Sequence, residues 1–383
     1  MLLRSSKVFL PSRSITALPP RLSLLRLFST HSAPQHRAAG TTIPNTAIKV
    51  FREIPALRQW RRKQILDHRS VGLVPTMGAL HEGHLSLIRM AAAENSAVVV
   101  SIYVNPTQFG IHEDLDKYPK TWETDCLMLR DLDRELASDG GNMGKIAAVF
   151  APTTGTMYPS GRPTQEVNGQ GSFVTITPVG TLLEGASRPT FFRGVATVCM
   201  KLFNIVTPER VYFGQKDIQQ TVVIKRMVKD FCMDTTVCIG DTIREPDGLA
   251  MSSRNVYLGE RRRNVATVLR KALSVAATAY SQGCRTRDEL LGPANELARL
   301  LLEEQLQLQP KDRVEFEVDY ISLADPETME ELDEINGSKG AILSGAVRML
   351  PVADAREGED LGLSGGPLVR LIDNIVLKPI AGS

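Results

Sequence analysis

The stretch PTMGALHEGHLSL, residues 75–87, decides how the chain is read. Just before it, Gly72, Leu73 and Val74 form an apolar, strand-like run, and HLSLIRMAAAE (residues 84–94) follows with helical composition. The turn between them carries Gly78 and Gly83, which lack a Cβ and allow close approach, and His81 and His84, two of only six histidines. A helix start offers unpaired N–H groups and a partial positive charge, which suits phosphate. Two imidazoles three apart also allow a metal reading, but no third His or Cys ligand is nearby. His112 is the only other histidine within reach by sequence, in a polar loop.

The same alternation continues outward. Apolar, β-branched runs AVVVSIYV (97–104), IAAVFAP (146–152), RVYFG (210–214) and TTVCIG (235–240) read as buried strands. Between and around them, residues 54–69, WETDCLMLRDLDREL (122–136), 195–206 and 217–231 read as helices. Strand and helix in alternation predict an α/β protein with a parallel sheet covered on both faces, its active site at the carboxyl ends of the strands. After about residue 254 the texture changes. Residues 261–283 and 287–308 read as two long helices, and RVEFEVDYISLAD (313–325) and VRLIDNIVL (369–377) as strands of a smaller α+β domain. The expected organisation is a leader over 1–40, a large domain over 46–250 and a small one over 251–383. Residues 139–145, 164–172 and 353–367 read as surface insertions.

Bulk properties exclude several classes. A net charge of +2 gives no ground for a nucleic-acid partner. No apolar run approaches the ~18 residues of a membrane helix. The five cysteines are scattered and never spaced CxxC, which argues against a disulfide framework or a zinc site. The first acidic residue is Glu53, and Arg4, Lys7, Arg13, Arg21, Arg26 and Arg37 precede it in a Ser- and Leu-rich segment. That composition predicts a mitochondrial transit peptide; a basic tail on a cytoplasmic protein is the alternative.

Three further loops end strands. GLAMSSRNVYL (248–258) sets Ser252, Ser253 and Arg254 side by side, two hydroxyls and a guanidinium matched to phosphate oxygens, although Ser-Ser ahead of a helix is also a common cap. YFGQKDIQQ (212–220) offers Gly214, Lys216, Asp217 and Gln220. YVNPTQFG (103–110) offers amides at Asn105 and Gln108 for hydroxyl and carboxylate groups. In a parallel sheet these loops converge with the two histidines on one site.

Together these blocks, with FFRGVATVCMKLFNIVTPERVYFGQKDIQQ and VRLIDNIVL, resemble the pantoate–β-alanine ligase (pantothenate synthetase) family from about Thr46 onward. The leader and insertions suggest a eukaryotic, fungal-like member. The resemblance implies a Rossmann-like domain with a HIGH-type nucleotide site, a small C-terminal domain and a homodimer. It implies ATP and Mg²⁺, with pantoate and β-alanine as substrates and AMP and pyrophosphate as products. By motif, Met77, Gly78, Ala79, Leu80, His81, Glu82, Gly83 and His84 line the ATP site, with His84 and His81 catalytic. Gly214, Gln215, Lys216 and Asp217 also hold ATP, Lys216 catalytically, while Ile243, Met251, Ser252, Ser253 and Arg254 close over the nucleotide. Gln108 and Gln220 would hold pantoate, Gln108 bordering β-alanine. Asp125 matches one acid of the family's metal region, where Thr124 replaces another. A nucleotidyltransferase of the same HxGH type and a non-catalytic RNA-binding relative are the competing readings.

Overall fold

The computed structural model describes residues 41–110, 115 and 118–379; the leader over 1–40 and His112 lie outside the described residues. The chain forms a seven-stranded sheet followed by a three-stranded one. The large sheet runs β1-β2-β5-β4-β3-β6-β7, with β1 (Thr41–Thr42), β2 (Lys49–Phe51), β3 (Val71–Thr76), β4 (Ala97–Ile102), β5 (Lys145–Phe150), β6 (Arg210–Gly214) and β7 (Thr236–Gly240). β2 to β7 are mutually parallel, and only the two-residue β1 is antiparallel.

Each central strand is short, β-branched and apolar because both of its faces are covered. α1 (Ile54–Leu66), α6 (Phe191–Val206) and α7 (Ile218–Asp230) pack on one face, burying Leu57, Val195 and Val223 against Leu73, Val99 and Val211. α2 (Glu82–Glu94) and α3 (Trp122–Ser138) pack on the other, burying Ile88 and Leu129 against Val74, Val98 and Val100; the four-residue helices α4 (Thr154–Met157) and α5 (Glu184–Ser187) come between α3 and α6 in the chain. From β3 the chain steps outward through β4 to β5, and from β6 it steps the other way to β7. The neighbours β3 and β6 therefore flank the switch point, where a parallel sheet opens a crevice at its carboxyl edge.

The smaller sheet is antiparallel, ordered β10-β9-β8: β8 (Phe316–Ala324), β9 (Ala341–Met349) and β10 (Val369–Leu377). It packs on α9 (Val268–Ser281) and α10 (Arg287–Leu306), with Leu273, Leu290, Leu343 and Val347 in a separate core. The predicted long helix over 261–283 is instead α8 (Gly259–Val265) and α9, parted at Ala266 and Thr267. Three strands were not anticipated: β1 and β2 are only two and three residues long, and β9 hides its alternation because nearly all of it is buried. Among the described residues no helix is long and apolar enough to cross a membrane.

The expected insertions are tied down. Residues 139–144 are the turn into β5, and Lys145 already belongs to that strand. In 164–172, Gln165 donates to the carbonyls of Pro106 and Phe109, and Arg193 holds those of Glu166 and Val167. The 353–367 segment wraps Arg262, whose side chain is 1 % exposed and donates to the carbonyls of Leu258 at 2.9 Å, Pro367 at 2.7 Å, Leu361 at 3.3 Å and Tyr257. A guanidinium buried this completely is tolerated because backbone carbonyls saturate its donors. Arg262→Ala should orphan those carbonyls and cost about 3 kcal/mol or more, summing about 1–3 kcal/mol per stranded acceptor. Urea unfolding checks this; a loss under about 1 kcal/mol would mean that water replaces the guanidinium at no cost.

Candidate active site

The turn from β3 into α2 is built around a carboxylate. Gly78 (φ 81°) and Ala79 (φ 49°) take left-handed backbone, which turns the amides of Ala79 and Leu80 toward α3. There Asp125, 1 % exposed, accepts from Ala79 N–H at 3.1 Å, from Leu80 N–H at 2.9 Å and from the Thr121 hydroxyl at 3.1 Å. Burial raises the Asp125 pKa, and these three donors counter it. Both of its oxygens are engaged by the loop they hold and Asp125 does not line the cavity described below, so this geometry adds no support to the expected metal role. Among the described residues, no group of three or more His, Cys, Asp or Glu side chains could hold a metal ion.

The turn delivers His81 as the N-cap of α2 and His84 one turn in, with ring centroids 4.1 Å apart. The Nδ1 of His81 accepts from Gly83 N–H at 3.2 Å. The helix end is thus partly self-capped, contrary to the expectation of free amides, and the neutral ring must carry its proton on Nε2. The Nδ1 of His84 is buried without a hydrogen-bond partner. Both rings stay neutral: burial first, then nearby positive charge, brings His81 to a pKa of about 4 and His84 to about 3. Lys216 is among the charges acting on both.

His81 and His84 line a cavity of about 210 Å³ together with Met77, Gly83, Gly214, Lys216, Asp217, Ile243, Met251, Ser252, Ser253 and Arg254. Gln108 and Gln220 line it as well. The sequence singled out all of these. Five of the expected nucleotide residues do not line it. Gly78, Ala79 and Leu80 shape the turn, Glu82 pairs with Arg89 at 2.5 Å, and Gln215 donates to Asn374 at 3.1 Å. The Lys216 ammonium sits 4.0 Å from Asp217, whose side chain is 43 % exposed and open to a ligand.

The Gln108 loop is fixed from behind. Asn105 is 1 % exposed and donates to Gln108 Oε1 at 3.0 Å, while Tyr158 donates to Asn105 Oδ1 at 2.8 Å. With its oxygen taken, Gln108 can offer its NH₂ to the cavity. A Cβ on Gly194 would meet the Thr107 carbonyl at 2.1 Å, so only glycine lets α6 press this closely on the turn. Tyr118, with its hydroxyl 3.5 Å from Ser253 Oγ, was not anticipated. Neither were Asp241 and Thr242, which follow β7 and line the cavity. Position at a strand end was the signal available for that pair. A second space of about 490 Å³ adjoins the first between the two sheets, sharing Arg188, Lys216, Asp217, Gln220 and residues 252–254 with it and adding Tyr320, Arg348 and Arg370.

A family model described as pantoate-beta-alanine ligase matches residues 49–376, which include every element lining the cavity. The chain belongs to the pantoate–β-alanine ligase family. A pantothenate synthetase of Roseiflexus castenholzii is 43% identical over 328 residues, covering 86% of this chain and 100% of that protein. The pantoate–β-alanine ligase of Saccharomyces cerevisiae is 38% identical over 339 residues, 86% of this chain and 100% of its own length. Among solved structures, the pantothenate synthetase of Thermus thermophilus shares the fold at a TM-score of 0.65 and 35% identity, with 85% of this chain and 98% of that one covered. The pantoate–β-alanine ligase of Francisella tularensis, complexed with beta-gamma ATP and β-alanine, aligns at a TM-score of 0.59 and 29% identity, covering 86% and 99%.

The paired histidines carry a pH signature. Each is protonated below about 6.5 when unfolded but not when folded, so the unfolded chain binds more protons and stability falls as the pH drops. The loss begins near the unfolded value and runs down to the folded values of about 4 and about 3. Near pH 5, His84→Asn should take up about one proton fewer on unfolding, flattening stability against pH by about 1.4 kcal/mol per pH unit. Urea titrations at several pH values measure this; an unchanged slope would mean that His84 is charged in the folded protein.

Proposed function

We propose that the chain joins pantoate to β-alanine at the expense of ATP through a pantoyl adenylate, releasing pyrophosphate and then AMP. The observation that carries the reading is one cavity lined by two kinds of group. Two neutral imidazoles, Lys216, Ser252, Ser253 and Arg254 make up one set, and the amides of Gln108 and Gln220 the other. The first set suits a triphosphate; the second suits a hydroxy acid that carries no phosphate of its own.

Forming an amide from a carboxylate requires an activated acyl group. A pantoate carboxylate oxygen held by Gln108 and Gln220 attacks the α-phosphorus, a P–O bond forms, and the bond to pyrophosphate breaks. The β-alanine amine then attacks the acyl carbon, AMP leaves, and the amine proton passes to solvent. The chain supplies alignment and charge stabilisation, with no covalent nucleophile. His81 donates through Nε2, while Lys216 and Arg254 add the positive charge that the neutral imidazoles lack. Magnesium carried on the phosphates fits the open Asp217 carboxylate, since this metal often binds through one carboxylate plus substrate phosphates. It would neutralise charge on the departing pyrophosphate. The same reading takes the enzyme to be a homodimer, as the family resemblance implies, which light scattering would check.

Pantoate-dependent exchange of labelled pyrophosphate into ATP, without β-alanine, isolates the first step. Lys216→Ala and His84→Ala should each slow it at least ~100-fold with the fold intact, the effect of one lost preorganised donor. Near-wild-type exchange in both would reject the assignment. The acid-free leader supports mitochondrial import. Fused to a fluorescent protein, residues 1–52 should direct it to mitochondria, and diffuse cytosolic signal would favour the cytoplasmic alternative.

A further inference from the structure

The motif VRLIDNIVL forms β10, in the small lobe, and no step of the proposed reaction uses it. Two adjacent residues of this strand nevertheless reach the large lobe. Asn374, 1 % exposed, donates from Nδ2 to the carbonyl of Gln215 at 2.8 Å and to that of Lys216 at 2.9 Å. Its Oδ1 accepts from the Gln215 side chain at 3.1 Å. Every polar atom of this carboxamide is thus spent on the loop that presents Lys216. Asp373, 6 % exposed, accepts from both ends of the Arg244 guanidinium, at 2.7 and 2.8 Å.

Arg244 also donates to Gly248 at 3.0 Å, across a hairpin that Met251 N–H closes onto the Ile243 carbonyl at 3.0 Å. That hairpin leads directly into Ser252, Ser253 and Arg254. Successive residues on a strand face opposite ways, so a single dipeptide can hold two loops at once. We infer that Asp373 and Asn374 are positioning residues for adenylation: the small lobe sets the placement of Lys216 and of the 252–254 loop through these two side chains. The inference rests on the ligase reading of the site. Misplacing a charge-stabilising group by about 1 Å can cost about 10²-fold in rate.

Asn374→Asp keeps the size and the acceptor but turns an anionic oxygen toward two carbonyls. Asp373→Asn leaves Arg244 one acceptor and removes the charge. The two half-reactions separate positioning from mere structural support. Pyrophosphate exchange needs the triphosphate aligned, whereas capture of supplied pantoyl adenylate by β-alanine does not. Assayed below the melting temperature of the variant, which the buried charge lowers, exchange should fall about 10²-fold in Asn374→Asp, with β-alanine capture reduced less than about 10-fold. The same split, smaller, is expected in Asp373→Asn. Equal losses in both half-reactions, or undiminished exchange, would overturn the inference. If Asn374→Asp does not fold, Asp373→Asn decides alone by the same criterion. A wild-type chain that exchanges no pyrophosphate sinks the ligase reading instead. Equilibrium dialysis with ATP then judges the inference, with affinity expected to weaken in both variants and unweakened binding overturning it.

Discussion

The parallel pairing of β3 with β6 is the constraint on which the site depends. Gly72 and Leu73 lie opposite Arg210 and Val211, and the chain leaves the two strands in opposite directions across the sheet. No connection crosses above their carboxyl ends, so a crevice opens there. One bank receives His81 and His84 from the turn after β3; the other receives Lys216 and Asp217 from the turn after β6. These groups are more than 130 residues apart in the chain, yet Lys216 depresses the pKa of both imidazoles. Slipping either strand by one residue would turn its apolar side chains to the wrong face and carry the loop with them.

Burial and charge divide the work inside the crevice. Burial disfavours the charged form of both imidazoles, so they act as dipoles, and the Gly83 amide fixes the tautomer of His81. Positive charge comes from Lys216 and Arg254, which line the same cavity. A polyphosphate entering such a place meets donors already oriented, in a medium drier than water, where each hydrogen bond counts for more. Asp125 plays the opposite part. Its carboxylate would oppose a phosphate if it faced the crevice, but it is turned away and neutralised by the amides of Ala79 and Leu80. It shapes the site electrostatically from behind while contributing no lining atom.

Much of this was legible in the residues. Apolar runs flanked by glycine and amides marked β3, β4, β5, β6 and β7, and polar loops at their ends marked the cavity wall. What escaped has physical reasons. β2 is three residues long, below any periodicity. β9 is buried on both faces, so alternation is absent, and Ser344 and Gly345 break its apolar run. The Asp125 carboxylate is ambiguous from sequence because an acid near a phosphate loop can bind metal or brace the backbone, and only its partners distinguish the two. Asn105 was singled out for its amide, but its bracing of Gln108, like the place of Tyr118, depends on contacts between loops that no local pattern encodes.

The small lobe has been the harder part to assign a purpose, since its core is separate and its sheet is distinct from the large one. Its attachment argues against a passive cover. Arg370 pairs with Glu184 of the large lobe at 2.5 Å, and Asn374 and Asp373 follow on the same strand. The strand thus grips the large lobe at three points, and two of them fix the loops that carry the cavity-lining Lys216 and lead into residues 252–254. A rigid displacement of the small lobe would drag Lys216 and the 252–254 loop with it. Any movement that opens the 490 Å³ space between the lobes therefore also disturbs the cationic wall of the crevice, which couples access to alignment. A lobe hinged elsewhere could open without touching the phosphate donors; one anchored through Asn374 cannot.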